Sequence, residues 1–131
     1  MPASQRNRTT RKAGPPRRSP CPVACSLDIL GDRWTLLVVR DLMLGLKRFR
    51  DFIASPEGIP TNILSERLER LLLNGIIEQI PARDGTKRLA YRLTEKGEAL
   101  RPVLKAMRDW GLAWEKSTRA FEGLRPAKGD G

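Results

Sequence analysis

The chain has 131 residues, 25 Lys and Arg against 15 Asp and Glu, and a formal net charge of +10. It contains no histidine, two cysteines and no glycine-rich phosphate loop, so the commonest general base is missing and neither a zinc site nor a Ser-His or Cys-His nucleophile can be assembled. We therefore expect no enzyme, no cofactor and no metal. The absence of a long apolar run and of an apolar leader favours a cytoplasmic protein without membrane contact.

The first 20 residues form a basic arm that is rich in Arg, Pro, Ser and Thr and free of acidic side chains. Such a composition predicts disorder, because it offers little apolar surface to bury. The arm either adds non-specific phosphate contacts or has no role in binding. We expect the folded domain to span residues 21–121 and a flexible tail to span residues 122–131. The excess of positive charge favours a polyanion as partner, although a solubilising surface would also account for it.

The first predicted helix follows Cys21, with Pro22 at a position that suits proline. Val23, Leu27 and Leu30 form one apolar stripe, and Gly31 ends the helix. Further apolar residues lie on a second face, so this helix is expected to contact a second subunit as well as its own core.

The next helix is predicted over residues 33–44 and is apolar nearly all round, which is typical of a central buried helix. A short third helix follows, with the basic residues Arg48 and Arg50 outside and Phe49 and Phe52 inside. Residues 55–58, Ser-Pro-Glu-Gly, form a turn.

The fourth helix is the candidate recognition helix of a helix-turn-helix. Its apolar stripe is Leu64, Leu68, Leu71 and Leu72, and we predict that Thr61 caps its start and that Gly75 lies just beyond its end. The opposite side carries amide, hydroxyl and charged groups, which are the groups that reach base edges in a major groove.

After Gly75 the apolar period changes from that of a helix to that of a strand. Strands are predicted over residues 76–80 and 88–93, joined by a turn at Asp84-Gly85. The turn region carries Arg83, Lys87 and Arg88, so we interpret the hairpin as a wing that lies on phosphates or reaches the minor groove.

Thr94 is predicted to cap the last long helix, and Pro102 is predicted to bend or break it. Its apolar stripe is longer than a small core needs and includes Trp110 and Trp114, which favours a partner surface. The predicted dimer interface combines this helix with the first one and comprises Val23, Leu27, Leu30, Leu104, Met107, Trp110 and Trp114.

In this order and spacing, the sequence resembles the HxlR-type family of winged helix-turn-helix transcriptional regulators. The resemblance rests on residues 21–23 (Cys-Pro-Val), 31–34 (Gly-Asp-Arg-Trp), 47–49 (Lys-Arg-Phe), 59–71, 91–97 (Tyr-Arg-Leu-Thr-Glu-Lys-Gly), 102–104 (Pro-Val-Leu) and 110–111 (Trp-Gly). It implies a mainly α protein with a small antiparallel β hairpin, an α+β winged helix-turn-helix that dimerises through its terminal helices. It also implies a homodimeric regulator of transcription, more often a repressor than an activator, that binds double-stranded DNA at an inverted repeat.

Some members of this family respond to oxidants or electrophiles through the cysteine of the opening motif, which here is Cys21. A small-molecule or redox effector is therefore expected, with a purely structural thiol as the alternative. The pair Thr61-Asn62 departs from the basic or Gln-type pair that is frequent in the family, so no operator sequence can be carried over.

Asn62 could form hydrogen bonds with adenine, and Ser65 could contact several different bases. Glu66 could accept a hydrogen bond from cytosine or form an ion pair with Arg70. An intramolecular role for Arg67 is an equal alternative. The complete set of candidate DNA-binding residues is Arg48, Arg50, Thr61, Asn62, Ser65, Glu66, Arg67, Arg70, Arg83, Lys87 and Arg88.

Two other functions are compatible with a basic chain of this length. A basic RNA- or ribosome-associated protein would need exposed aromatic rings for stacking, whereas Trp34, Phe49, Phe52 and Tyr91 are all predicted on core faces. A winged helix that binds another protein is the other alternative, and a salt-dependent DNA titration separates it from the DNA-binding hypothesis.

Overall fold

A computed structural model describes residues 19–81 and 89–118 of the chain. Within these ranges the elements are α1 (Pro22–Leu30), α2 (Thr35–Met43), α3 (Phe49–Ile53), α4 (Thr61–Leu73), β1 (Ile77–Pro81), β2 (Leu89–Leu93), α5 (Glu95–Glu98) and α6 (Arg101–Trp114). The predicted order of helices around one hairpin is confirmed. Among the described residues, no helix has both the length and the apolar composition to cross a membrane.

Helix α2 lies at the centre of the fold, as its apolar composition predicts. Val38, Val39 and Leu42 are buried, and the core around them comprises Phe52, Ile59, Leu64, Leu68, Leu71, Ile76 and Ile77. The helix begins at Thr35 rather than at Arg33, because the Asp32 side chain accepts hydrogen bonds from the amides of Trp34 and Thr35 and holds this segment in a turn.

Helices α3 and α4 form the helix-turn-helix. The prediction that Thr61 caps α4 is wrong: the cap position is Pro60, and Thr61 is the first helical residue. Pro60 has an extended backbone (ψ 146°), and its carbonyl accepts the first hydrogen bond, from the amide of Leu64 at 2.9 Å. Gly75 adopts a φ of +70° just after the end of α4, which confirms the predicted stop.

Strands β1 and β2 pair antiparallel, with Ile77 opposite Leu93 and Gln79 opposite Tyr91. The predicted hairpin is therefore confirmed, while its turn lies outside the described residues. On β2 the buried residue is Ala90, whereas Leu89 is exposed at the outer end of the ladder.

The last predicted helix is divided in two, as Pro102 suggested. Helix α5 ends at Glu98, and α6 restarts at Arg101 with the proline in its first turn. The predicted cap at Thr94 is confirmed, since its hydroxyl accepts from the amide of Gly97 at 3.2 Å. A Cβ at Gly97 would lie 2.2 Å from the carbonyl oxygen of Ile76, so this turn packs directly against the start of the hairpin.

Candidate nucleic-acid interface

The two faces of α4 divide as its sequence predicts. Leu64, Leu68 and Leu71 are buried, and Arg67 is half-buried. The exposed side chains of the first half of the helix are Thr61, Asn62, Ser65 and Glu66. The side chains that the sequence predicts to contact bases therefore lie together on the solvent side of α4, and its opposite side packs against the core.

Helix α3 contributes positive charge beside this face. Arg50 is exposed and Arg48 is half-buried at the start of the helix. The carboxylate of Asp51 accepts from the backbone amides of Arg48 at 3.0 Å and Lys47 at 3.3 Å. This interaction fixes the first turn of α3, and with it the directions in which the two arginines leave the backbone.

The cluster around Asp32 is a feature of the interface that the sequence did not reveal. One carboxylate oxygen of Asp32 accepts from the amides of Trp34 (2.8 Å) and Thr35 (2.9 Å), and the other accepts from the Thr35 hydroxyl (2.6 Å). From α4, Arg67 Nε reaches the first oxygen and Arg70 Nη1 reaches the second, both at 3.2 Å. Asp32 thus joins the start of α2 to α4.

Both arginines of the cluster also face Glu66. Arg67 Nη1 donates to Glu66 Oε1, and Arg70 Nη2 lies 3.8 Å from the same oxygen. Arg70 Nη1 is in addition 3.4 Å from the carbonyl of Ile29, in the last turn of α1. The intramolecular role considered for Arg67 is thus observed, and Arg70 has a comparable one.

The electrostatics of Asp32 follow from these contacts. Burial alone would raise the pKa of this carboxyl, but hydrogen bonds from Thr35, Trp34 and Arg67 outweigh it and hold the pKa well below its usual range. The pKa of Arg67 is raised, because the interactions with Asp32 and Glu66 outweigh the effect of its burial. Asp32 and Arg67 are therefore both charged at neutral pH.

The described part of the wing is attached to the helix-turn-helix. The amide of Tyr91 on β2 donates to the carbonyl of Lys47, before α3, at 2.9 Å. Within the hairpin itself, Arg92 on β2 pairs with Glu78 on β1 at 2.6 Å. The predicted contact residues of the turn, Arg83, Lys87 and Arg88, lie outside the described residues.

The predicted dimer residues separate into two groups. Val23 (66% exposed), Leu27, Met107, Trp110 (62%) and Trp114 (69%) present apolar surface to solvent on α1 and α6. Leu30 and Leu104 are half-buried and pack against the core of their own chain. The unpartnered surface thus lies on the outer side of both helices.

The two cysteines occupy different environments at the start of α1. Cys21 is exposed, whereas Cys25 is half-buried with its thiol 3.0 Å from the carbonyl oxygen of Ser19. Both are free thiols.

Sequence comparison supports what the fold indicates. The family model of HxlR-like helix-turn-helix proteins matches residues 29–119. The transcriptional regulator YvaP of Bacillus subtilis (strain 168) is 36% identical over 89 residues, which cover 68% of this chain and 82% of YvaP. YodB, another helix-turn-helix regulator of the same organism, is 36% identical over 91 residues, which cover 69% of this chain and 81% of YodB.

Solved structures agree with the sequence comparison. The crystal structure of PA1607 superimposes with a TM-score of 0.69 at 45% identity and covers 74% of this chain and 67% of its own. Reduced YodB superimposes with a TM-score of 0.63 at 33% identity and covers 76% of this chain and 98% of its own. YodB has also been solved after diamide treatment and with bound quinone. The chain therefore belongs to the HxlR-like helix-turn-helix family of transcriptional regulators.

Proposed function

We propose that the protein binds an inverted-repeat site in double-stranded DNA as a homodimer, and that it represses transcription from that site until an oxidant or electrophile releases it. The observation that carries the proposal is the exposed polar face of α4, where Thr61, Asn62 and Ser65 lie clear of the core. A helix held in this way can enter a major groove and present its N-terminal side chains to base edges.

Each side chain in this proposal has a separate role. Asn62 pairs with a base, with adenine as the best geometric match, and Thr61 and Ser65 make adaptable contacts. Arg48 and Arg50 contact phosphates beside the helix, and the wing residues Arg83, Lys87 and Arg88 contact the backbone or the minor groove. Arg67, Arg70 and Glu66 support the helix from within the chain, as their mutual contacts favour.

The exposed apolar surface of α1 and α6 supports the homodimer. Val103, Met107, Trp110 and Trp114 recur every three or four residues along α6, so they share one side of the helix. A second copy that covers this stripe through a two-fold axis would place two α4 helices about one DNA turn apart, ~34 Å, and would require an inverted repeat.

The effector is proposed from the exposed thiol of Cys21 and from the forms in which YodB has been solved. In the proposed reaction with a quinone, the thiolate sulfur adds to a ring carbon, the ring electrons move to a quinone oxygen, and that oxygen takes up a proton. The reaction needs no further oxidant. It would place a bulky group at the start of α1, which belongs to the proposed dimer interface.

The aromatic residues of α2, α3 and the hairpin give no support to the alternative of an RNA-binding protein, and the exposed Trp110 and Trp114 lie on the α6 stripe that is assigned to the dimer. Trp34, Phe49, Phe52 and Tyr91 all belong to the core or pack against it, so none is placed as a stacking platform.

The test of this function is selection of bound duplexes from a random DNA pool by the full chain. The expected result is an enriched inverted repeat with half-sites about one helical turn apart. Enrichment of a single half-site would contradict the dimer, and the absence of any enriched sequence would contradict sequence-specific binding.

A further inference from the structure

The Asp32 carboxylate receives five hydrogen bonds, three from the beginning of α2 and two from α4. The three bonds from Trp34 and Thr35 fix the carboxylate, because Thr35 is fully buried and cannot move without the core. Asp32 is therefore a rigid anchor. Arg67 and Arg70 are three residues apart on α4 and reach it from the same side of that helix.

The same contacts determine which charged side chains of α4 are available to bind DNA. Arg67 and Arg70 are the only basic side chains on this helix, and both are engaged by Asp32 and Glu66. An arginine side chain that is released from such a pair is long enough to contact a DNA phosphate. Phosphate contacts strengthen binding to every DNA sequence alike. The exposed side of the first half of α4 is left with neutral side chains and Glu66.

We propose that Asp32 is a positioning residue that determines specificity: it fixes α4 against α2 and holds Arg67 and Arg70 away from the DNA backbone. In this arrangement sequence-independent affinity stays low, and binding depends on base contacts from Thr61, Asn62 and Ser65. The inference rests on the proposed function, because it assumes that α4 faces DNA. It adds a role for a residue that lies 30 positions before Asn62 and outside the helix-turn-helix.

A merely structural role predicts a different outcome, and Asp32→Asn separates the two. Asparagine retains a side-chain oxygen that can accept from the amides of Trp34 and Thr35, so the turn before α2 is preserved. It lacks the negative charge, and its NH₂ group would face a guanidinium group. The substitution therefore removes the Asp32 carboxylate as a partner of both arginines, leaves Glu66 as their remaining carboxylate, and spares the turn.

The experiment measures the affinity of the full chain for two duplexes of equal length, one recovered by selection and one scrambled, over a series of salt concentrations. For Asp32→Asn we expect the ratio of the two affinities to fall about tenfold. We also expect the slope of log affinity against log salt on the scrambled duplex to steepen by about 1.8 to 3.6, since one or two arginines of each subunit of the dimer gain phosphates. Glu98→Gln is the matched control. It removes one exposed carboxylate on α5, which pairs with Arg101 on α6. It should change neither the affinity ratio nor the salt slope.

An unchanged ratio and an unchanged slope in Asp32→Asn would overturn the inference, and so would an equal loss on both duplexes at constant slope. If Asp32→Asn does not fold, the double variant Arg67→Gln/Arg70→Gln, which keeps Asp32, tests the inference in its place. The inference expects its slope on scrambled DNA to equal that of the wild type, because these arginines do not contact phosphates. A slope shallower by about 0.9 or more would overturn it.

The triple variant Asp32→Asn/Arg67→Gln/Arg70→Gln completes the design. It should lose the steeper slope of Asp32→Asn, and retention of that slope would overturn the inference. A wild-type protein that prefers no selected duplex would overturn the proposed function instead. The slopes on the scrambled duplex would still decide the role of Asp32.

Discussion

The backbone amide of Tyr91 in β2 donates a hydrogen bond to the carbonyl of Lys47, which is 2.9 Å away and two residues before the start of α3. The Tyr91 ring also packs at a tilt of 57° against Phe52 of α3, with ring centroids 6.3 Å apart. The wing is therefore attached to the first helix of the helix-turn-helix through both backbone and side chain. In the proposed complex this attachment sets the angle at which wing and recognition helix meet the duplex.

The first prediction concerns Asn62, the amide on the exposed face of α4. Asn62→Ala should weaken binding to the selected duplex by about 1–3 kcal/mol and leave binding to a scrambled duplex nearly unchanged, because a base contact carries sequence information. Fluorescence anisotropy with both duplexes measures the two effects.

Arg50→Ala provides the comparison for this measurement. Arg50 is exposed on α3, and a phosphate contact from it would strengthen binding to both duplexes. The substitution should therefore weaken both about equally. If the two variants show the opposite pattern, the roles proposed for α3 and α4 are wrong.

The second prediction concerns the apolar stripe of α6. Met107→Glu should convert the dimer to a monomer, because a carboxylate would have to be buried without a partner in the subunit contact. Leu112→Glu is the matched control, since Leu112 is exposed on the opposite side of the same helix. Sedimentation at micromolar concentration should give twice the chain mass for the wild type and the control, and one chain mass for Met107→Glu. A monomeric wild type would contradict the inverted-repeat argument.

The third prediction concerns the two thiols. Exposure to a benzoquinone should lower the affinity of the wild type for the selected duplex by about 5- to 150-fold, the usual range of coupling between two sites. Cys21→Ser should not respond, and Cys25→Ser should respond as the wild type does, because Cys25 is half-buried and Cys21 is exposed. Intact mass should show one quinone adduct. An equal response of the wild type and Cys21→Ser would exclude Cys21 as the sensing residue.

The fourth prediction concerns the acid stability that Asp32 confers. Its pKa is lower in the folded chain than the usual value near 4, so its contribution is fully present above about pH 4 and is lost as pH falls further. Burial raises the pKa of Asp41, so the contribution of this residue to stability grows as pH falls, opposite to that of Asp32. Asp41 is present in both the wild type and Asp32→Asn, so its effect cancels in the comparison. Urea unfolding at pH 7 and pH 3 should therefore show a smaller loss of stability in Asp32→Asn than in the wild type. An equal loss would mean that the hydrogen bonds and ion pairs of the ionised Asp32 carboxylate do not stabilise the fold.

Local patterns were sufficient to predict most of the fold. The period of Leu64, Leu68 and Leu71 predicted the buried face of α4, and the change of period after Gly75 predicted the hairpin. These predictions succeeded because a helix face or a strand pair depends on residues that are close in sequence. The cap of α4 was misassigned by one position, since Pro60 supplies the required extended conformation without any side-chain hydrogen bond.

The Asp32 cluster could not be predicted in the same way. Asp32 is 35 residues from Arg67 and 38 from Arg70, and no periodicity links an acidic residue in a turn to two arginines on a later helix. An aspartate just before a helix does indicate a local hydrogen bond to the backbone, and those bonds to Trp34 and Thr35 are present. The contacts with α4 depend on the packing of α4 against α2, which the sequence pattern does not specify.

The most direct test of the central claim is a titration of the wild-type chain with a selected duplex, a scrambled duplex and an RNA hairpin at 50 and 200 mM salt. A winged-helix dimer that neutralises about 6–10 phosphates should lose about 10³- to 10⁵-fold in affinity between these two salt concentrations. It should also prefer the selected duplex over the scrambled duplex and the hairpin at both. A flat salt dependence, or equal affinity for the RNA hairpin, would contradict the claim that this protein is a sequence-specific regulator of double-stranded DNA.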